Sequence, residues 1–197
     1  MNLANKLTIS RLFLIPIFIF FVKLGGIISI IIALFIFCLA AITDLLDGKV
    51  ARKYKTVTYL GTFLDPLADK LLILTAFIYF LSMKFLRIPT WMIIIIAARE
   101  LLIIIFRLLF LNKKEIMFYS INKTSKIKTI VQNSVAIMII LIIILNEIIR
   151  MLNYNLKSLY LINKIPFWLM LIAVIFTIYS GSIYILRYYR DKIKLLY

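Results

Sequence analysis

Six long runs of apolar residues fill most of this 197-residue chain and constrain its fold more than any other feature. A helix needs about 20 apolar residues to cross a bilayer, somewhat fewer when Lys, Arg and Tyr side chains lie at its ends. Hydrophobic residues make up 64% of the sequence, and the mean hydropathy is +1.08, a composition unlike that of soluble globular domains. We predict an all-α, polytopic membrane protein with six transmembrane helices, at about Leu7–Leu24, Ile27–Asp47, Asp65–Met83, Pro89–Leu111, Ile127–Ile149 and Pro166–Tyr188.

The distribution of positive charge predicts the orientation of these spans. Most of the 24 Lys and Arg residues lie near the N-terminus, after the second and fourth spans, or in the C-terminal tail. Because Lys and Arg resist translocation, both termini are expected in the cytoplasm. The connections are short, so residues 1–197 are expected to form one domain in the inner (cytoplasmic) membrane. The net charge of +16 is explained by these loops and by anionic lipid, and nucleic acid is not an expected partner.

The chain has no histidine and one cysteine, Cys38, which lies inside an apolar run. This composition excludes a zinc site built from thiol or imidazole ligands, a Ser-His pair and a disulfide framework. With no histidine, a carboxylate is the natural general base, and carboxylates are the natural metal ligands.

Four of the five aspartates fall within residues 44–70, DLLDGKVARKYKTVTYLGTFLDPLADK. On a helix, Asp44, Asp47 and Ala51 share one side, with Gly48 and Arg52 flanking it. Asp65 and Asp69 share a face of the next helix. We expect two helices to present a pair of carboxylates each to a common point near the cytoplasmic interface.

Oxygen ligands without His or Cys favour a hard divalent ion such as Mg²⁺ or Mn²⁺. Such ions use one or two carboxylates each, so four carboxylates fit two ions, an arrangement that serves phosphoryl transfer. Basic neighbours, Arg52 first, would neutralise a phosphate or diphosphate.

Simpler roles for single residues stay open. Asp65 could cap the third helix, with Pro66 in its first turn. Gly48 could be a close helix contact and Gly61 a turn residue. Capping explains only one of the four carboxylates, however.

Written as D-x2-D-G-x2-A-R-x8-G-x3-D-x3-D, this window resembles the signature of the CDP-alcohol phosphatidyltransferase family at every fixed position. The matching residues are Asp44, Asp47, Gly48, Ala51, Arg52, Gly61, Asp65 and Asp69. The resemblance implies a six-helix membrane enzyme, commonly a homodimer, in which an alcohol displaces CMP from a CDP-linked lipid. It implies that two Mg²⁺ or Mn²⁺ ions are held by Asp44, Asp47, Asp65 and Asp69, with Asp69 also taking the proton from the attacking hydroxyl. It places the CDP site at Asp44, Gly48, Ala51, Arg52 and Gly61.

Other segments resemble bacterial members of the family that use glycerol 3-phosphate. These segments are NLANKLTISRLFLIPIF near the N-terminus, ARELL at 98–102, SKIKTIVQ at 125–132 and TIYSGSIY at 177–184. The implied reaction joins CDP-diacylglycerol and glycerol 3-phosphate to give phosphatidylglycerophosphate and CMP. Phosphatidylglycerol, serine or inositol phosphate remain alternative acceptors. In the first segment, Asn5, Thr8 and Arg11 are the polar positions and candidate substrate-site residues.

Arg99, Lys126 and Lys128 are the candidates for a pocket that binds the acceptor phosphate. Arg99 lies about ten residues into an apolar run, where an unpaired cation is costly, and its neighbour Glu100 is expected to point elsewhere on the helix. The two lysines could instead be ordinary positive-inside residues. Ser125 stands where the family usually has glycine, which is a departure from its pattern.

A cation-coupled transporter is an alternative of another class. It predicts charges near the middle of the spans and broken helices in two repeated halves. The aspartates lie near an interface and no repeat is visible, so the sequence favours the enzyme.

Overall fold

The computed structural model describes the backbone of residues 3–54, 59–110, 123–152 and 161–194, and the side chains of 10–43, 70–105, 126–152, 161–184 and 186. Within these ranges the chain forms six long α-helices and no strand, which confirms the predicted all-α class. The helices are α1 (Leu3–Leu24), α2 (Ile27–Tyr54), α3 (Tyr59–Ser82), α4 (Thr90–Phe110), α5 (Lys123–Met151) and α6 (Ile165–Lys194). A 3-10 turn at Lys84–Leu86 lies between α3 and α4.

The helices pack so that four of them surround a common interior. The α3 helix contacts α4 and α5, and α6 contacts the same two helices, which closes a ring of α3, α4, α6 and α5. The α1 helix packs against α2 and α3, and α2 also contacts α5. The interior of the four-helix ring is where polar side chains from different parts of the sequence can meet.

The apolar core combines large aromatic residues with small ones. Phe18, Phe37 and Phe77 are fully buried. Fully or almost fully buried alanines occur on four helices, at Ala33, Ala40, Ala76, Ala136 and Ala173. Small side chains let helix backbones approach closely, which is how helices associate where lipid removes the hydrophobic driving force between them.

The outer surface is also apolar. Ile28 is 77% exposed, Leu186 68% and Trp168 61%, and many other large apolar side chains point outward. Among the described residues, Lys126–Met151 and Ile165–Tyr184 are long and apolar enough to cross a membrane, and Ile27–Thr43 and Lys70–Ser82 are shorter apolar segments. Length and composition alone would also fit buried helices of a soluble protein. The exposure of these side chains, however, is what lipid acyl chains accommodate and water does not.

The helix bounds correct two of the simpler roles considered above. The α3 helix begins at Tyr59, so Asp65 lies within it and does not cap its first turn. Gly61 is likewise the third residue of α3 and does not form a turn between helices. Pro66 therefore also lies within α3 and beyond its first turn, the position where a helix tolerates proline best.

The turn between α1 and α2 consists of two glycines in the left-handed region. Gly25 has φ 69° and Gly26 has φ 77°. Tyr79 Oη donates a hydrogen bond of 3.1 Å to the Val22 carbonyl oxygen and so ties α3 to the end of α1.

Candidate active site

A buried carboxylate, Glu100 of α4, lies inside the four-helix ring among three cationic side chains. Its side chain is 3% exposed. Lys70 Nζ, from α3, lies 3.3 Å from Glu100 Oε2. Arg99 Nη1 lies 3.4 Å from Oε1, and the ammonium of Lys128, from α5, contacts the same oxygen. Three helices therefore meet at one carboxylate.

Arg99 extends this cluster to the fourth helix. Its Nη2 donates a hydrogen bond of 2.8 Å to Ser180 Oγ of α6. Gly181, the next residue, lies against the arginine stem, and a Cβ there would be in ordinary van der Waals contact with Arg99 Cγ, at 3.6 Å. The guanidinium thus bridges α4 and α6, a task for which its several fixed donors suit it.

A second polar contact lies about one helical turn from the first. It involves Gln132, which follows Lys128 in α5, and Thr177, which precedes Ser180 in α6. Gln132 Nε2 donates to Thr177 Oγ1 at 3.0 Å, and the Thr177 hydroxyl donates to the Ala173 carbonyl oxygen at 2.6 Å. Since the threonine proton is already used, the amide nitrogen of Gln132 must be the group that faces Thr177. Gln132 and Thr177 are both fully buried. A buried hydrogen bond therefore joins α5 directly to α6, beside the Glu100 cluster.

The four aspartates of the sequence window lie on the two helices that were expected to carry them. Asp44 and Asp47 are one turn apart on α2, and Asp65 and Asp69 are one turn apart on α3. Their side chains fall outside the described ones, as do those of Gly48, Ala51, Arg52 and Gly61. Lys70 of the Glu100 cluster follows Asp69 directly in α3, so the two groups of charged residues are adjacent along that helix.

Comparison with known proteins decides the family. The family model described as CDP-alcohol phosphatidyltransferase matches residues 1–179. The chain belongs to the CDP-alcohol phosphatidyltransferase family. The enzyme family predicted from the aspartate signature is thereby confirmed.

Several members of the family with known names are similar to this chain. The CDP-diacylglycerol–glycerol-3-phosphate 3-phosphatidyltransferase of Bacillus subtilis is 35% identical over 192 residues, which cover 91% of each chain. A probable phosphatidylglycerophosphate synthase of Mycobacterium tuberculosis is 38% identical over 134 residues, 66% of this chain and 62% of that protein. The CDP-diacylglycerol–glycerol-3-phosphate 3-phosphatidyltransferase of Rickettsia bellii is 41% identical over 103 residues, 52% of this chain and 55% of that one.

The donor set of the family signature suits a hard divalent ion. All four candidate ligands are carboxylates, and the helical backbone carries them in two pairs at spacings of three and four residues. Oxygen ligands of this kind fit Mg²⁺ or Mn²⁺. Among the side chains that the structure describes, no group of three His, Cys, Asp or Glu residues forms another metal site.

The structure separates the three candidates for the phosphate pocket of this CDP-alcohol phosphatidyltransferase. Arg99 and Lys128 lie together around Glu100. Lys126 is exposed, because residues two apart on a helix point in nearly opposite directions. The expectation that Glu100 points away from Arg99 is wrong: the long, flexible arginine side chain reaches the carboxylate of its neighbour.

The N-terminal candidates lie on α1. Arg11 is 3% exposed, so a cation is buried on this helix too. The side chains of Asn5 and Thr8 fall outside the described ones, although both residues belong to α1.

Sequence analysis missed Lys70, Glu100, Gln132 and Ser180 as members of the polar interior. The sequence does contain an indication for Glu100, since a carboxylate deep in an apolar run must be paired to be tolerated. Gln132 and Ser180 lie in two segments that resemble the family, but only the packing of α5 against α6 shows that the polar positions of those segments meet.

Proposed function

We propose that this protein transfers the phosphatidyl group of CDP-diacylglycerol to glycerol 3-phosphate, giving phosphatidylglycerophosphate and CMP. The observation that carries this proposal is the cationic cluster around Glu100, which is adjacent in α3 to the family's aspartate signature. A phosphorylated acceptor needs buried cations, and a neutral alcohol does not. The similarity to the Bacillus subtilis enzyme over 91% of both chains supports the same acceptor.

In the proposed reaction, Asp69 takes the proton from a glycerol 3-phosphate hydroxyl. The hydroxyl oxygen attacks the β-phosphorus of CDP-diacylglycerol and forms a new P–O bond. The bond between that phosphorus and the bridging oxygen breaks, and CMP leaves with the electron pair. A carboxylate is the natural base here because the chain has no histidine.

The remaining signature residues would bind the reacting groups. Asp44, Asp47 and Asp65, together with Asp69, would hold two Mg²⁺ or Mn²⁺ ions, which would stabilise negative charge on the phosphate oxygens when bound. Arg52 would pair with the diphosphate, and Asp44, Gly48, Ala51 and Gly61 would line the CDP site. Arg99 and Lys128 would bind the acceptor phosphate.

The same proposal includes a membrane arrangement. All six helices span the bilayer, both termini lie in the cytoplasm, and the active site faces the cytoplasmic side of the inner membrane. Positive residues concentrated on one side of the spans support this orientation. The protein is further proposed to be a homodimer, as the family resemblance implies.

A panel of acceptors tests the proposed function. Purified protein in detergent is incubated with CDP-diacylglycerol, Mg²⁺ or Mn²⁺, and one acceptor at a time: glycerol 3-phosphate, glycerol, serine, inositol phosphate or phosphatidylglycerol. We expect CMP release with glycerol 3-phosphate, and none after the metal is removed with EDTA. Release of CMP with another acceptor but not with glycerol 3-phosphate would refute the proposal.

A further inference from the structure

We infer that Glu100 is the positioning residue of the acceptor-phosphate pocket: its buried carboxylate holds Lys70, Arg99 and Lys128 in one cluster that fits a phosphate monoester dianion. The inference rests on the proposed function, because it concerns the acceptor of that reaction. It adds two residues, Glu100 and Lys70, that sequence analysis did not assign.

Three helices converge on the Glu100 carboxylate. The three cations come from α3, α4 and α5, and each places a nitrogen against the Glu100 carboxylate. Arg99 adds α6 through Ser180. Glu100 is therefore the common partner through which all four helices of the ring hold their polar side chains in fixed relative positions.

The side chains of this cluster are largely buried. Glu100 has 3% of its side chain exposed, Lys128 none and Arg99 13%. Like charges this close repel strongly in a medium of low dielectric constant, so the cations could not stay together without an anion. Lys70, at 20% exposure, has access to solvent and would be the first to move away.

The cluster has more positive than negative formal charges. Among the described side chains, three cations face one carboxylate, which leaves the cluster with two unbalanced positive charges. A phosphate monoester dianion would neutralise them. Phosphatidylglycerol, with one negative charge on a diester, and serine, with no net charge, would leave the cluster unbalanced. The pocket therefore favours phosphorylated small alcohols as a class.

Glu100 is assigned a positioning and not a catalytic role. Both of its oxygens already contact ammonium or guanidinium groups, so neither is available to remove a proton from the acceptor. Its contact with Lys70 also fixes the residue that follows Asp69 in α3. Glu100 thereby links the proposed phosphate pocket to the proposed base.

The test compares Glu100→Gln with Glu147→Gln, a matched change in a pair with Arg150 that is more exposed and lies outside the cluster. Initial rates of CMP release are measured while glycerol 3-phosphate and CDP-diacylglycerol are varied in turn. In Glu100→Gln we expect the KM for glycerol 3-phosphate to rise about tenfold or more, because charge-assisted contacts that hold the cations are lost. The KM for CDP-diacylglycerol should stay within about twofold of the wild-type value. Competitive inhibition by inorganic phosphate should weaken in Glu100→Gln to a similar extent. Glu147→Gln should match the wild type.

The outcomes separate this inference from the proposed function. If the wild type does not use glycerol 3-phosphate, the proposed function fails. If it does, but Glu100→Gln leaves the acceptor KM and the inhibition by phosphate unchanged, only the inference fails. An equal rise in both KM values would also overturn it, because that is the behaviour of a purely structural residue.

A second variant covers the case in which Glu100→Gln does not fold. Lys70→Met keeps the length of a side chain that is partly exposed, and it removes one cation from the cluster. We expect a rise of several-fold in the acceptor KM without a matching rise for CDP-diacylglycerol. An unchanged acceptor KM in Lys70→Met would contradict the inference.

Discussion

Two lysines of α5, separated by one residue, differ in burial and therefore in the groups that they can contact. Lys128 is fully buried and contacts Glu100, whereas Lys126 is exposed. Their positions in the sequence are equivalent as positive-inside residues, so composition alone gave them the same expected role. The helical angle between them, about 200°, is what assigns one to the interior and the other to the surface.

This difference predicts unequal effects of the same substitution. Lys128→Met should raise the KM for glycerol 3-phosphate by about tenfold or more, because a buried cation of the pocket is lost. Lys126→Met should change that KM by less than about twofold, as expected for an exposed residue. Steady-state CMP release with varied glycerol 3-phosphate measures both. Equal effects of the two substitutions would show that the buried cluster does not bind the acceptor.

At the residue scale, the sequence predicts a member of the polar interior where a charge has no inexpensive alternative. Arg99 was identified because an unpaired cation is costly in an apolar run. Glu100 was missed because adjacent helix residues diverge by 100°, and that rule describes Cβ directions and not the reach of long side chains. Ser180 could not be paired with Arg99 without knowing that α4 packs against α6.

At the scale of helices, the contact between α5 and α6 includes a buried hydrogen bond. Gln132 donates directly to Thr177, and both side chains are fully buried. A lost partner there leaves an amide nitrogen without water to replace it.

Thr177→Val keeps the shape of the side chain and removes the hydroxyl. We expect a loss of about 1 kcal/mol in unfolding free energy, near the upper part of the range measured for hydrogen bonds between membrane helices. Thermal unfolding of the protein in detergent should show a lower midpoint. Ser182→Ala is the control, since the Ser182 hydroxyl on the same helix is exposed and donates to the Tyr179 carbonyl oxygen three residues before it. A midpoint for Thr177→Val no lower than that of the control would contradict the expectation.

The sequence predicted all six helices, and in the structure α2 and α3 extend beyond the spans predicted for them. The prediction ended the second span at Asp47 and began the third at Asp65, where charged residues and Pro66 interrupt the apolar pattern. In the structure α2 continues to Tyr54 and α3 begins at Tyr59. Apolar runs mark the part of a helix suited to lipid, whereas the helical backbone can extend beyond it on both sides.

At the scale of the whole molecule, apolar side chains face outward, and the charged cluster lies in the interior between the helices. Large apolar side chains cover the outer surface, and the polar contacts of four helices face inward. Charged residues in membrane helices normally face the interior of a bundle, where they pair with one another.

The proposed orientation predicts the accessibility of introduced cysteines in intact cells. Cys38 is first replaced by Ala, so that each new cysteine is the only one. A cysteine at Lys194 should react only after the inner membrane is permeabilised, whereas one at Arg87, in the turn between α3 and α4, should react before it. Labelling with a membrane-impermeant maleimide measures both. Labelling of Lys194→Cys before permeabilisation would contradict the cytoplasmic placement of the C-terminus.

The most direct measurement is the transfer of labelled glycerol 3-phosphate into lipid by the purified protein, with Asp69→Asn measured beside the wild type. The wild type should convert glycerol 3-phosphate and CDP-diacylglycerol into labelled phosphatidylglycerophosphate, with one CMP released for each lipid formed. Asp69→Asn should lower the rate by about a hundredfold or more, the scale of a lost general base. An unlabelled lipid fraction with the wild type would contradict the proposed phosphatidyl transfer. Full activity in Asp69→Asn would contradict the role given to Asp69.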